Sequence, residues 1–291
     1  MKLSIIILSY NTEKLTLTCL FSLVKYYKKE LTEKTFEIIV VDNNSSDTSV
    51  ESIKSSSISS FVTVVVSKEN LGFSKGINLG ATYATGEQLL FLNSDTECED
   101  DGLMNMMVYK EEHTQIGIMG GRLKNPDGSY QASAGVFYTL PRVFLLLAGA
   151  ERFGKLRYNP KKIEKVDWVS GAMLIVDRTL FRELGGFDEK LFMYMEDMEL
   201  CFRVKKMGKE VVFYPECTIQ HLSHGSSNRG FAIIQIYRGM IYFYKKHKNS
   251  IEYTIVKGLL VIKAVSMMFL GVIIGKKEYT HTYGKALKSI I

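Results

Sequence analysis

Leu89-Leu90-Phe91-Leu92-Asn93-Ser94-Asp95-Thr96 is an apolar run that ends abruptly in a carboxylate flanked by small polar residues. Strands that are buried on both faces have continuous apolar sequences, and in parallel sheets ligands bind just beyond the carboxyl ends of such strands. The stretch therefore predicts a buried central strand with Asp95 at the ligand-binding edge of its sheet. Because Asp and Ser are also ordinary turn residues, a plain turn is the alternative.

Three earlier apolar runs have the same form, and helical patterns separate them. They cover residues 2–9, 36–41 and 61–66. The first run ends in Ser9-Tyr10-Asn11-Thr12, and the second in Asp42-Asn43-Asn44-Ser45-Ser46-Asp47. This alternation predicts an α/β fold with a mainly parallel sheet and right-handed crossovers, so the polar strand ends should share one crevice. For the second cluster, a turn with a helix cap is the alternative to a ligand contact by Asp42.

A glycine-rich segment follows the third strand and begins Asn70-Leu71-Gly72-Phe73-Ser74-Lys75-Gly76-Ile77-Asn78. Glycines at a strand-to-helix junction let the backbone approach a phosphate. Neither the dinucleotide-binding nor the P-loop glycine pattern fits this segment. Close packing of a glycine-rich helix on the sheet is therefore the alternative.

The second half of the chain has a different texture. Asn125-Pro126-Asp127-Gly128 predicts a hairpin turn after a strand that begins at Ile116. Residues 141–165 include five Lys or Arg residues between Arg152 and Lys162, which predicts either a loop over an anionic ligand or a solvated connection. Residues 168–176 then predict one further buried strand.

Acidic and histidine residues follow these elements. Glu196-Asp197 stands at the start of a helical pattern. Acids at this position complement the helix dipole, so the pair could simply cap the helix. The alternative is that one of the two acids is a general base. After a last strand over residues 210–214 come His221 and His224, either incidental loop residues or ligands for a divalent cation beside Asp95.

Composition excludes several classes of protein. The chain has 291 residues, 46% of them hydrophobic, which is sufficient for a substantial core. Its net charge of +6 is mild and suits an anionic small molecule or membrane surface, and the sequence has no basic stripe of the kind that binds nucleic acid. The four cysteines have no C-x-x-C spacing, and residues 1–10 are too short for a secretory segment, so we expect buried thiols in a reducing cytoplasm.

The C-terminal segment from Arg229 predicts two helices. The second, residues 251–275, is nearly apolar but contains Lys257 and Lys263, and its longest uncharged run is too short to cross about 30 Å of hydrocarbon. The pattern favours a helix in a membrane interface with lysines near anionic headgroups. A dimer-forming or core-capping helix is the alternative.

Taken in order, these stretches resemble the family 2 glycosyltransferases of the GT-A fold, most closely their bacterial rhamnosyltransferase-like branch. The resemblance covers about Leu3 to Ser227 and rests on motifs that are specific only as an ordered set. These are Ile5-Ile6-Ile7-Leu8-Ser9-Tyr10-Asn11, Val41-Asp42-Asn43-Asn44-Ser45-Ser46-Asp47, Asn70-Leu71-Gly72-Phe73 with Asn78 and Gly80, Leu92-Asn93-Ser94-Asp95-Thr96, Ser170-Gly171-Ala172, Gly185-Gly186-Phe187-Asp188-Glu189, and Glu196-Asp197 with Leu200, Cys201 and Arg203.

The resemblance implies an inverting transfer of a sugar from a nucleotide-diphosphate donor, dTDP-rhamnose or a UDP-sugar, to a hydroxyl of a glycan or lipid-linked acceptor in cell-surface polysaccharide biosynthesis. It implies that Asp42 contacts the pyrimidine. It also implies that Asp95 and His221 hold Mn²⁺ or Mg²⁺ on the diphosphate. The catalytic base would be Asp197 beside Glu196. Further candidates for nucleotide-sugar binding are Ser9, Tyr10, Asn11, Asn44, Asn70, Gly72, Phe73, Lys75, Asn78, Asn93, Ser94 and Gly171.

One departure from the family pattern concerns the metal. The commoner motif has two acids, and Asn93 replaces the first, so metal affinity would depend on fewer charges. We expect a GT-A domain over residues 1–228, with a nucleotide-binding half (1–115) and an acceptor half (116–228), followed by C-terminal helices over residues 229–291. We expect the protein in the cytoplasm, attached peripherally to the inner face of the bacterial plasma membrane. The sequence is compatible with a homodimer.

Two other hypotheses remain. A non-catalytic nucleotide-sugar-binding or scaffold subunit of the same fold would be expected to lack the acids, yet Asp95 and Asp197 are both present. A sugar-nucleotide pyrophosphorylase would need a glycine-rich start after its first strand, where Tyr10-Asn11-Thr12 stands.

Overall fold

The computed structural model describes residues 1–149, 156–222 and 229–291. Its strands are β1 (Leu3–Ser9), β2 (Phe36–Asp42), β3 (Val62–Val66), β4 (Gln88–Asn93), β5 (Thr96–Cys98), β6 (Ile116–Lys124), β7 (Ala134–Gly135), β8 (Arg157–Tyr158), β9 (Glu164–Lys165), β10 (Trp168–Val169), β11 (Met173–Asp177) and β12 (Glu210–His221). Its helices are α1 (Glu13–Thr32), α2 (Ser49–Ser55), α3 (Gly72–Tyr83), α4 (Gly102–Glu112), α5 (Leu140–Leu147), α6 (Arg178–Glu183), α7 (Glu196–Lys206), α8 (Arg229–His247), α9 (Ser250–Ile273) and α10 (Lys277–Lys288).

A central sheet in the order β3-β2-β1-β4-β11-β6-β12-β5 organises the molecule. The first four strands in this order are mutually parallel, and β11 is antiparallel to both of its neighbours, β4 and β6. The predicted α/β fold with a mainly parallel sheet flanked by helices is confirmed. A small second sheet, β10-β7-β8, lies beside it.

The sheet separates two layers of core. In β1 the side chains of Ile5 and Ile7 point to the layer that contains α1, whereas Ile6 packs with Ile77 of α3 on the other face. All three isoleucines have no exposed surface. Apolar runs buried on both faces are what a doubly covered sheet requires, and this explains the continuous patterns of β1 and β4.

The register brings the polar strand ends together. Ser9 lies opposite Asp42 on β2, and Leu8 lies opposite Asn93 on β4. The loops after these three strands, including the one that holds Asp95, therefore lie at one edge of the sheet. The prediction that the polar strand ends meet at one edge of the sheet is confirmed.

Three sequence-based boundaries are wrong. The run 168–176 is divided into β10 and β11, which belong to different sheets, because the Ser170-Gly171-Ala172 turn separates them. The last strand continues past residue 214 through a register shift to His221. The C-terminal segment forms three helices within residues 229–291, since Gly275 has a left-handed φ of 69° that ends the apolar helix and starts α10.

Helix α9 runs through both of its lysines over 24 residues. By length and composition it could cross a membrane, and only 22% of its most apolar window is buried inside the protein. The longest run without a charge is too short to cross a membrane. The complete helix is long enough, so the argument from the uncharged run does not hold. It packs against α5, α8 and α10.

Candidate active site

The loops after β1 and β2 bind each other. The Asn11 side-chain oxygen accepts from the Ser46 amide at 2.7 Å, and the Asn11 amide donates to the Ser45 hydroxyl at 3.0 Å. Asn11 and Asn44 have left-handed φ values of 53° and 66°, which asparagine tolerates better than most residues. This pairing forms one wall of the crevice, with Tyr10 half-buried and Asn44 exposed.

Asp42 lies at the base of this wall and is 2% exposed. Its Oδ2 accepts from the Ser45 amide at 3.0 Å. Its Oδ1 is buried and has no hydrogen-bond partner among the described residues. A buried carboxylate oxygen without a donor is costly, so it fits a site that a ligand N–H would complete.

The glycine-rich segment is held by a residue that the sequence analysis did not select. The Asn43 amide group donates to Asn70 Oδ1 at 3.0 Å and accepts from the Leu71 amide at 2.8 Å. Gly72 has a φ of 74°, and a Cβ there would lie 2.4 Å from the Phe192 carbonyl oxygen. The turn thus requires glycine, and it presents the α3 N-terminus at the edge of the sheet.

Some of the predicted ligand residues have structural roles in the described chain. The Ser9 side chain is completely buried, and its hydroxyl bonds Thr12 and Thr16. Ser94, also buried, bonds Thr12 at 3.2 Å. Asn78 uses both ends of its amide on the Phe187 backbone, each at 2.9 Å. These side chains build the walls of the crevice and do not line its surface, because their polar atoms already have buried partners.

Asp95 and His221 are brought together at the end of β4 and β12. His221 Nε2 lies 3.3 Å from Asp95 Oδ1 and 3.3 Å from the side-chain nitrogen Nδ2 of Asn93. The Leu222 amide donates to the Asp95 carbonyl at 2.9 Å, which fixes the two loops against each other. His224 lies outside the described residues.

Gln131 fixes the orientation of the His221 ring. Its Nε2 donates to the carbonyl of His221 at 2.8 Å and to Asn125 Oδ1 at 2.7 Å, so its Oε1 is directed at His221 Nδ1, 2.8 Å away. The proton of the imidazole therefore belongs on Nδ1, and the Nε2 lone pair faces Asp95 and Asn93. Histidines that bind metals through Nε2 commonly donate the Nδ1 proton to a neighbouring acceptor in this way, which fixes the ring and directs its lone pair at the metal.

One imidazole and one carboxylate fit a divalent cation that is also held by phosphates and water. The described residues contain no cluster of three or more acidic, His or Cys side chains around one point. A cation bound by Asp95 and His221 would therefore need further ligands from phosphate or water. Because Asn93 stands where the commoner motif has an acid, Asp95 is the single carboxylate of this pair.

Asp197 lies across the Ser170-Gly171-Ala172 turn from this pair. Its Oδ2 accepts from the backbone amide of Gly171 at 3.2 Å, and the backbone amide of Asn93 donates to the Ala172 carbonyl at 3.1 Å. The Phe73 ring and the Asp197 side chain both lie 3.6 Å from where a Cβ on Gly171 would be. One turn therefore joins the end of β4, two residues before Asp95, to the start of α7, where Asp197 lies.

Glu196 and Asp197 have different surroundings. Burial raises the pKa of Glu196 well above its ordinary value, and the charge of Asp197 raises it further. Burial also raises the pKa of Asp197, although two backbone amides and the Arg157 guanidinium act in the opposite direction. Glu196 Oε2 is buried and accepts no hydrogen bond from a described residue. We interpret Glu196 as the protonated member of the pair and Asp197 as the carboxylate that can accept a proton.

Gln131 and Arg157 could not be selected from the sequence. Gln131 reaches His221 across 90 positions, and Arg157 lies on a two-residue strand, so neither carries a local signal. The basic segment around Arg157 predicts either a loop over an anionic ligand or a solvated connection, and two of its basic residues, Arg152 and Lys155, lie outside the described residues.

Comparison with known proteins places this arrangement in a family. Residues 4–185 match the sequence profile of Glycosyl transferase family 2. The chain belongs to this family. The resemblance of the motifs is confirmed, including its rhamnosyltransferase-like branch, since relatives with that name are among the matches.

Relatives of this family 2 chain come from several bacteria. It is 26% identical to the O-antigen biosynthesis protein RfbC of Myxococcus xanthus over 67% of this chain and 15% of RfbC. It is also 26% identical to the N-acetylglucosaminyl-diphospho-decaprenol L-rhamnosyltransferase of Mycobacterium tuberculosis, over 68% of this chain and 70% of that protein. It is 27% identical to the rhamnosyltransferase WbbL of Escherichia coli, over 55% of this chain and 64% of WbbL. The chain thus spans a small part of RfbC and about two thirds of the other two.

Solved structures confirm the GT-A fold of this family 2 chain. Crystalline GalNAc-T7 with UDP, GalNAc and Mn²⁺ matches with a TM-score of 0.61 at 18% identity, over 84% of this chain and 50% of that one. The mannosyltransferase PcManGT of Pyrobaculum calidifontis, in complex with GDP-Man and Mn²⁺, has a TM-score of 0.59 at 15% identity, over 99% and 85%. At these identities the likeness establishes the architecture alone.

Proposed function

We propose that the protein is an inverting glycosyltransferase that uses a nucleotide-diphosphate sugar, dTDP-rhamnose or a UDP-sugar, and glycosylates a hydroxyl of a glycan or lipid-linked acceptor in cell-surface polysaccharide biosynthesis. The observation that supports the proposal is a pair of hydrogen bonds to one turn: the Gly171 amide donates to Asp197 at 3.2 Å, and the Asn93 backbone amide donates to the Ala172 carbonyl at 3.1 Å. Membership of family 2 supports the reaction class.

The donor would occupy the crevice between the β1 and β2 loops and the end of β4. Asp42 Oδ1 would accept the imide N–H of a pyrimidine, since it is a buried acceptor without a partner in the described chain. Asp95 and His221 would hold Mn²⁺ or Mg²⁺ against the diphosphate. The bound cation would supply positive charge for the leaving group as a Lewis acid.

Asp197 would take the proton of the acceptor hydroxyl as that oxygen attacks the anomeric carbon from the face opposite the diphosphate. General base catalysis of this kind contributes about 10²- to 10⁴-fold in rate. The raised pKa brings Asp197 closer to neutral pH than an ordinary carboxyl, and because burial raises the pKa of Glu196 as well, a protonated Glu196 would avoid a second negative charge beside it.

The names of the relatives support rhamnose as the sugar and a diphosphate-linked lipid as the acceptor. We place the protein at the cytoplasmic face of the membrane. Residues 229–291 carry 11 of the 37 basic residues and only 2 of the 31 acidic ones, so the positive charge of the chain is concentrated in its C-terminal helices. Eleven of the twenty exposed large apolar side chains in the described ranges lie on α5, α9 and Ile274, which favours a lipid surface.

The experiment is a thermal-shift screen of nucleotide sugars with Mn²⁺ or Mg²⁺, followed by transfer assays with the sugar that binds. A ligand that binds only the native state raises the melting temperature. We expect stabilisation by dTDP-rhamnose or a UDP-sugar and a glycosylated product with a lipid-diphosphate acceptor. A protein that binds the donor but transfers nothing to any acceptor would instead be a nucleotide-sugar-binding subunit.

A further inference from the structure

A polar cleft of about 400 Å³ opens on the acceptor side of the crevice. Its lining residues are Leu123, Asn125, Gln131, Ala132, Arg157, Ser170 and His221. His221 joins it to the candidate metal pair, and Ser170 joins it to the turn that holds Asp197. The cleft is built by β6, β8, β12 and the 125–131 turn, so it lies apart from the nucleotide-side loops after β1 and β2. Its volume is within the range of small-molecule sites.

Arg157 is the one Lys or Arg among the described residues that line this cleft. Its backbone is anchored in β8, where Arg157 pairs with Gly135 of β7. Its guanidinium lies 5.3 Å from the centre of the buried Trp168 ring, and one of its nitrogens donates to the Ala132 carbonyl at 3.2 Å. A guanidinium that lies over an aromatic ring and is held by a hydrogen bond has less freedom to lose when it binds a phosphate. The side chain is half-buried, so it meets the cleft in a partly desolvated setting where charge interactions are stronger than in water.

The position of Arg157 relates it to the acceptor. In the proposed function the donor diphosphate would be held by the Asp95–His221 pair, whereas Arg157 shares the cleft with Ser170, the neighbour of the Gly171 amide that bonds Asp197. The other polar lining groups are His221, the Ser170 hydroxyl and the side-chain amides of Asn125 and Gln131, and both amides already bond neighbouring residues. The charge of Arg157 is therefore the main attraction for an anion. A second depression lies nearby with Arg122, Lys161 and Lys162, but Glu216 also lines it and its lysines are on the surface.

We infer that this cleft is the acceptor subsite and that Arg157 binds a phosphate or diphosphate of an anionic acceptor, such as a lipid-linked sugar diphosphate. The inference rests on the proposed function, because it assumes a hydroxyl presented to Asp197. It assigns the recognition of the acceptor phosphate to one named residue, Arg157, which neither the motifs nor the relatives specify. The same chemistry would also suit the donor diphosphate, and the experiment distinguishes the two sources.

The test is calorimetric binding of geranyl diphosphate to the full chain with Mn²⁺ and saturating dTDP, so that the donor site is filled. We expect Arg157→Gln to weaken this binding about ten-fold or more, with partial recovery in Arg157→Lys. Lys161→Gln removes the same charge from a surface position on the same segment and should change the affinity less than two-fold, an order-of-magnitude expectation for an exposed charge. Thermal melts of both Arg157 variants establish that they are folded.

Three results would overturn the inference. Wild-type protein that does not bind geranyl diphosphate when dTDP is present has no anionic acceptor subsite. Equal affinity in wild type and Arg157→Gln removes Arg157 from it. A comparable loss of dTDP affinity in Arg157→Gln assigns the guanidinium to the donor. All three results are binding measurements, so they can be interpreted even if no sugar transfer is found. A failure of the proposed function would appear in the transfer assay and can thus be distinguished from a failure of this inference.

A kinetic measurement extends the test once an acceptor is known. Arg157→Gln should raise KM for a lipid-diphosphate acceptor about ten-fold and leave KM for the donor unchanged. An unchanged acceptor KM would contradict the assignment.

Discussion

Gly239 of α8 lies directly against Met195, the residue that precedes Glu196-Asp197. A Cβ on Gly239 would lie 2.9 Å from Met195 Cγ and 3.0 Å from Met195 Cβ. Tyr194 and Met195 have left-handed φ values of 68° and 72°, which is rare for non-glycine residues and costs on the order of 1 kcal/mol each. The C-terminal helices therefore support the strained turn from which α7 and the candidate base begin.

The first prediction follows from this contact. Gly239→Ala should push the turn out of place, lower kcat and leave KM for the donor nearly unchanged, with a loss of about 1–3 kcal/mol in the free energy of unfolding. Steady-state kinetics and urea unfolding measure both effects. The matched control is Gly258→Ala in α9, where nothing lies within 4 Å of the added carbon, so it should be neutral or gain up to about 1 kcal/mol. Equal behaviour of the two variants would remove the support role of α8.

The second prediction concerns Asp197. Asp197→Asn should lower the transfer rate by about 10²-fold or more while donor affinity is retained. Because burial raises the pKa of Asp197, its ionised form costs stability, and this cost appears as the pH rises through that pKa. The Asn variant should therefore melt at the same or a higher temperature than wild type at neutral pH. Full activity of this variant would exclude Asp197 as the base.

The third prediction separates the two acids through pH. In wild type the rate should rise with pH as Asp197 ionises, with a midpoint above the ordinary value for Asp, because burial raises its pKa. Glu196→Gln should keep most of the activity, since Gln imitates the protonated acid. A pH–rate profile of each variant is the measurement. A loss in Glu196→Gln as large as in Asp197→Asn would show that Glu196 moves the proton.

The fourth prediction concerns the ring orientation of His221. Gln131→Ala removes the acceptor of the Nδ1 proton and should weaken Mn²⁺ binding about 10- to 100-fold, as the loss of an outer-shell partner does. Asp95→Ala should abolish it. Electron paramagnetic resonance of free Mn²⁺ in the presence of dTDP measures the affinity. Metal binding that is unaffected in both variants would place the cation elsewhere.

The fifth prediction concerns the buried Glu199, which joins α7 to α8. Burial alone would raise the pKa of Glu199, but hydrogen bonds from His247, Arg203 and Lys246 outweigh it and lower the pKa to about 2. A depressed carboxyl pKa stabilises the fold above the unfolded value and loses that effect as the pH falls from about 4.5 to about 2. The shift corresponds to about 3 kcal/mol.

Glu199→Gln should thus lower the free energy of unfolding by about 3 kcal/mol at pH 7, and by less than half of that at pH 3. Urea unfolding at the two pH values measures this. Glu210→Gln breaks an exposed pair with Lys165, whose side chain is 73% exposed, and should cost less than about 1 kcal/mol at either pH. A loss for Glu199→Gln that is independent of pH would mean that packing, and not charge, explains it.

Much of the fold follows from local patterns. The β-branched and apolar runs of β1, β2 and β4 predict buried parallel strands, and the polar residues after them predict the crevice, because strand ends in such a sheet meet at one edge. The division of residues 168–176 between two sheets did not follow, since a continuous apolar run does not record which neighbour each half pairs with. For the same reason, the strand that carries His221 was predicted to end seven residues too early.

The sequence by itself determined the identity of the acids, the strands that present Asp42 and Asp95, and the family to which these motifs belong. These are properties of short segments, whose patterns depend on neighbours along the chain. Only the tertiary structure decided that Gln131 orients His221, that Arg157 lines a cleft with His221 and that Gly239 supports the turn before Asp197. Those contacts join residues that are far apart in sequence, and their geometry depends on how sheet, hairpin and C-terminal helices pack together.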